Sequence, residues 1–173
     1  MSERNISPAK AQRGKETSEK RRSALRLCVF ARETFVELVM NPDTLPAVVD
    51  CLIPPDDFPG AYDAGVCDYI EQLFQRDLAE HAKVFRAGID AINAEALARN
   101  NAPFAALTRD QQISVLQAIE AGAVKTSWPT APPRFFEMLV NITAEGYYSD
   151  PQQGGNRGCA SWVMTGFEDA IDS

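Results

Sequence analysis

Ala61 to Arg99 reads AYDAGVCDYIEQLFQRDLAEHAKVFRAGIDAINAEALAR, and this stretch decides the fold class. Val66, Ile70, Leu73, Phe74, Leu78, Phe85, Ile89 and Ile92 recur on one helical stripe, not in the two-residue alternation of a strand. Asp63 stands ahead of the stripe as an N-cap. The helix is expected to continue to about Arg99, with a break near Gly88, before Asn100-Asn101-Ala102-Pro103.

The same period extends outward in both directions. Upstream, Val48, Val49, Leu52 and Ile53 mark a short helix over Leu45–Ile53 that Pro54-Pro55 ends, because proline lacks the donor and clashes with the preceding turn. Pro54 to Gly60 then reads as a rigid surface turn, which Asp56 and Asp57 cap. Further upstream, Ala24, Leu27, Cys28, Ala31, Phe35, Leu38 and Val39 place a helix over Ser18–Met40, stopped by Asn41-Pro42. Downstream, Thr108-Arg109-Asp110-Gln111 is a capping box opening a helix to about Ala121. After the proline-rich link Pro129–Pro133, a last helix is expected from Arg134 to Ala144, with Gly146 as its left-handed terminator. No segment alternates and no repeat is visible. The expectation is all-α: a flexible basic tail over residues 1–17, then a single-domain irregular helical bundle over 18–173. Its C-terminal part reads as a long aromatic and Gly-rich loop.

The chain has 173 residues, 45% hydrophobic and 24% charged, enough to bury about 70% of its unfolded surface without disulfides or a metal. Its formal charge of −7 divides into +5 over residues 1–26 and −12 over the remainder. An acidic body excludes non-specific nucleic-acid binding, which needs Lys and Arg against phosphates. The single histidine, His81, excludes most histidine metal sites and acid–base relays, and reads as a solvated mid-helix residue. No apolar run approaches the length of a membrane span. No carboxylates fall into a recognisable acid–base pair, so no catalytic, cofactor-binding or metal-binding residue is assigned.

Arg21-Arg22-Ser23-Ala24-Leu25-Arg26 has the form of a twin-arginine export motif. The uncharged stretch that must follow is interrupted by Arg32, Glu33 and Glu37, so Leu25–Met40 reads as a retained amphipathic helix. That favours the cytoplasm over the periplasm. Cysteines at 28, 51, 67 and 159 show no metal or redox spacing. The first three read as small buried hydrophobes on helical faces. Cys159 follows the glycine-rich stretch and reads as near the surface, able to bridge to a partner in an oxidising compartment.

Residues 128–173 hold seven of the fifteen aromatics, in a stretch that reads mostly as loop. Obligate interfaces gather aromatic anchors with few charges at the centre. Tyr147, Tyr148, Gly154, Gly155, Asn156, Arg157, Cys159, Trp162 and Phe167 are therefore the candidate partner interface, with Val163 and Met164 adding apolar area. In this reading the glycines let the turn lie flat against a partner, and Arg157 forks onto a partner carboxylate. The alternative is that the rings fold the loop back on the bundle. Gly154-Gly155-Asn156-Arg157-Gly158 lacks the preceding strand and the spacing of a phosphate loop.

Several of these segments, in order, resemble the gluconate 2-dehydrogenase subunit 3 family. They are Ile53-Pro54-Pro55-Asp56 with Pro59-Gly60-Ala61 and Ala64-Gly65-Val66, Leu107-Thr108, Phe135-Phe136, Glu145-Gly146-Tyr147-Tyr148-Ser149-Asp150-Pro151, and Gly154-Gly155-Asn156-Arg157 with Trp162 and Gly166-Phe167. The resemblance implies a non-catalytic small, or gamma, subunit. Its partner would be a large flavoprotein of the glucose–methanol–choline type that carries FAD and oxidises a sugar or sugar-acid hydroxyl, glucoside, glucose or gluconate. It also implies a role in maturing that subunit, an exported pair, and in some complexes a cytochrome c electron-acceptor subunit. Two alternatives stand beside it: a dissociable chaperone or export escort of the flavoprotein, and an independent enzyme with a helical pocket.

Overall fold

The structure, a computed structural model, describes residues 42–167. The helix expected over Ser18–Met40, the basic tail, the arginine pair and Cys28 lie outside the described residues. Six α-helices follow one another: α1 Thr44–Leu52, α2 Val66–Gln75, α3 Ala82–Asn100, α4 Arg109–Glu120, α5 Pro132–Tyr148 and α6 Ala160–Thr165. Short 3-10 turns stand between them, and there is no strand among the described residues. The fold is all-α.

Helix α1 ends where Ile53, ahead of two prolines, turns to extended backbone. Its last carbonyls are capped from a distance: Arg109 Nη1 donates to Asp50 O at 2.8 Å and Nη2 to Cys51 O at 3.0 Å. Asp56 caps the following turn through its Oδ1, which accepts from Phe58 N at 2.8 Å. The N-cap of α2 is Gly65 in the left-handed region (φ 82°), not Asp63. A Cβ at Gly65 would stand 2.7 Å from Gly154 O, so both backbone conformation and space call for glycine there.

The stripe that reads as one helix is two. Phe74 and Phe85 would stand about 16 Å apart along a continuous helix. Their rings are stacked 4.2 Å apart instead, because the chain turns back between Arg76 and His81. His81 thus sits at the entry of α3, exposed beside Glu80, and not in mid-helix. Gly88 marks no break. It is where the Phe135 ring of α5 packs on α3, and a Cβ there would lie 2.0 Å from that ring.

The capping box forms as read, with Thr108 N donating to Gln111 Oε1 at 3.0 Å. Helix α5 begins at Pro132, one of the few helical positions where a missing N–H is harmless, and runs to Tyr148. Gly146 therefore lies inside the helix, where the ring of Tyr69 fills the place a Cβ would take. The core between the helices is built from Val48, Val49, Ile70, Ile89, Ile92, Phe104, Ile119, Phe135 and Leu139, with Trp128 packed on Phe135 at 5.7 Å. Cys51 is buried and Cys67 half-buried at its edge; burial pushes both thiols up, Cys67 to about 12 with help from Asp68 and Asp50. Both are inert packing groups at neutral pH.

Candidate functional site

Where the sequence reads as a long loop, the chain after α5 forms a strap of two 3-10 turns, Pro151–Gln153 and Arg157–Cys159, that leads into α6. Asp150 caps the first turn, its carboxylate accepting from Gln152 N at 2.9 Å. Asn156 is fully buried in a left-handed conformation and acts as a clip. Its Nδ2 donates to Ser149 O at 3.0 Å and its Oδ1 accepts from Ser161 N at 2.9 Å, so one side chain ties the end of α5 to the start of α6. Arg157 N donates to Ala64 O at 2.8 Å, fixing the strap to the turn before α2.

Two glycines of this turn, Gly154 and Gly155, lie against their own chain. A Cβ on Gly154 would meet Gln72 Nε2 at 2.5 Å, and one on Gly155 would meet Gly146 O at 2.0 Å. The amides of Gly154, Arg157 and Cys159 each donate to carbonyls of this chain, to Pro151, Ala64 and Asn156. A phosphate cradle needs such amides pointing at the ligand.

The structure divides the nine candidate interface residues. Tyr147, Gly155 and Asn156 are buried, and Tyr147 is held by its hydroxyl, which donates to Pro59 O at 2.8 Å. These three are internal fastenings, because a group already covered by its own chain offers no area to another. Gly154 is half-buried under Gln72. Arg157 is exposed, and its Nη2 already donates to Asp68 Oδ2 at 2.5 Å, so part of its guanidinium is matched within the chain. Asp68 lies 89 residues upstream, and nothing in the sequence pairs the two.

What remains on the surface is apolar. Tyr148 is 52% exposed, Val163 55% and Phe167 47%. Trp162 is partly buried with its ring 5.2 Å from that of Phe167. Helix α6 is short and two-sided: Ala160 and Ser161 are buried and Met164 packs on the core, while Val163 turns outward. Cys159 is half-buried in a left-handed conformation at the N-cap of α6.

Helix α2 is a ridge between two depressions. On the strap side an open polar cleft of about 550 Å³ is lined by Asp68, Glu71, Gln72, Gly154 and Arg157. On the other side an apolar groove of about 270 Å³ runs between α1, α2 and α3. No described helix is long and apolar enough to cross a membrane.

Fold and surface together define a small all-helical domain whose C-terminal strap is clipped to the body and carries exposed aromatic area. A family model described as gluconate 2-dehydrogenase subunit 3 matches residues 41–169, and the chain belongs to that family. It is a subunit of a dehydrogenase complex. No curated protein and no solved structure matches it.

Proposed function

We propose that this chain is the non-catalytic small subunit of a glucose–methanol–choline-type, FAD-dependent sugar dehydrogenase, and that it stabilises the catalytic flavoprotein during maturation. In this reading FAD, the active site and the route to a cytochrome c acceptor belong to the partner subunits. The observation that carries the reading is the exposed apolar area at the end of α5 and along α6. The body closes its own core with Phe74, Phe85, Phe104, Trp128 and Phe135, and Tyr148, Val163 and Phe167 stand exposed near its C-terminal end, as Tyr62, Val84, Leu97 and Ile113 do singly elsewhere. Aromatic area of that kind, on a chain of a subunit family, suits a lasting interface.

Trp162→Ala is expected to weaken pairing with the flavoprotein by about 2–4 kcal/mol, as loss of an aromatic anchor does. The isolated variant should melt within a few degrees of the parent, since Trp162 stands beside the core and not inside it. Full unfolding of the variant, or unaltered pull-down of the flavoprotein, would sink the anchor role. One-to-one co-purification after dye-linked turnover separates a permanent subunit from a chaperone that leaves.

For location we infer the cytoplasm, from the charges that interrupt the segment after Arg21-Arg22. Mass spectrometry of the protein from cells is expected to find an N-terminus upstream of residue 31. An N-terminus downstream of it would reverse this.

A further inference from the structure

We infer that the groove between α1, α2 and α3 receives an apolar side chain of the catalytic subunit, on a segment that carries a base toward α2 and an acid toward α3. This rests on the pairing proposed above and adds a second contact, distinct from the strap.

Three features of the groove support it. Its walls are apolar: Leu45 and Pro46 from α1, Ile70 and Phe74 from α2, Ala82 and Phe85 from α3. At about 270 Å³ it is smaller than the usual small-molecule site and suits protruding side chains. Its two lips carry opposite charge. Asp68 and Glu71 stand exposed on the α2 lip and Arg86 on the α3 lip, so an occupant is read for polarity as well as for apolarity. The Cys67 thiol within it stays neutral and adds no charge to the walls.

Continuity then points to the occupant. Asp68 and Glu71 line both the groove and the polar cleft, and the far wall of that cleft is the strap, with Gly154, Arg157 and Gly158. A partner seated on the strap therefore has to cross only the α2 ridge to reach the groove. Arg157 already neutralises Asp68 across the cleft, which leaves Glu71 as the acid on the ridge to meet a partner base.

The test uses the full chain and its flavoprotein, co-expressed and also mixed at several salt concentrations. Ala82→Trp, which fills the groove, is expected to weaken pairing at least about tenfold while the isolated chain keeps its melting temperature. Glu71→Lys and Arg86→Glu are expected to weaken pairing about threefold to tenfold at low salt and less at high salt. Should Ala82→Trp melt the isolated chain, the two surface variants decide. Wild-type pairing in all three variants overturns the groove and leaves the strap reading standing; failure of the wild-type chain to pair overturns both. An isolated chain that dimerises, with Ala82→Trp dispersing the dimer but not the complex, makes a second copy the occupant and also overturns the proposal.

Discussion

Glu95→Ala is expected to lower folding stability by about 3–5 kcal/mol, the cost of breaking a buried ionic network from one side. Glu95 has no solvent exposure, yet every partner of its carboxylate is a fixed donor. Arg99 Nε donates at 2.6 Å, Lys125 N at 3.0 Å, Thr126 N at 3.1 Å and Thr126 Oγ1 at 2.8 Å. Arg99 also donates to Ala123 O, so one acid on α3 organises the whole link between α4 and α5. Burial alone would raise its pKa. The hydrogen bonds from Thr126, Lys125 and Arg99 outweigh that and hold it below the ordinary glutamate value. The stability it contributes is therefore fully present above the unfolded-state pKa of about 4.3 and is lost as pH falls through the lower folded value. Glu95→Gln keeps the shape but turns one acceptor into a donor facing backbone N–H groups, and should cost about 2 kcal/mol. Urea unfolding from pH 7 down to pH 3 checks both: the parent loses stability below about pH 4.3 in part through this group, and the Gln variant lacks that component. An alanine variant within about 1 kcal/mol of the parent would show that the link is held otherwise.

Glu95 also shows where the sequence was mute. On the helical stripe it falls among polar positions, and apart from Arg99 one turn on, its partners are 30 and 31 residues away in a segment without periodicity. Local signals were legible: the apolar period, the proline stops, the capping box at Thr108 and Gln111. They rest on neighbours within four residues, which the sequence displays. The turn between α2 and α3 was not legible, because Arg76 to His81 holds no proline or glycine and the stacking of Phe74 on Phe85 is a tertiary preference. Glycines misled for the same reason. Gly88 and Gly146 look like breakers, but each is the point where another element's ring, from Phe135 or Tyr69, needs the missing Cβ. In the candidate site the aromatic excess was visible. Its division was not: which ring faces out depends on Pro59 meeting Tyr147 and on Asn156 clipping Ser149 to Ser161. The ion pair of Arg157 with Asp68 belongs to the same class of long-range fact.

Gly155→Ala is expected to cost about 2–4 kcal/mol and to remove pairing with the proposed flavoprotein subunit, although residue 155 is itself buried within its own chain. The added methyl would stand 2.0 Å from Gly146 O and 2.9 Å from the Gly146 carbonyl carbon, and helix backbone cannot yield as a side-chain tip does. Relief requires the strap to lift from α5. Lifting it pulls Asn156 from Ser149 O, and with it the bond that positions the start of α6. The exposed area of Val163 and Phe167 and the Trp162 ring then lose their fixed place relative to Tyr148. Gly158→Ala is the control. Nothing lies within 4 Å of its Cβ position, so its only charge is the left-handed conformation at φ 67°, about 1 kcal/mol, and pairing should persist. Melting curves of both isolated variants and pull-down of the flavoprotein measure the two effects separately. A Gly155→Ala chain that is destabilised yet pairs as well as the Gly158→Ala chain would move the docking surface off the strap, since a face whose geometry can be lost without affecting binding is not the face that binds.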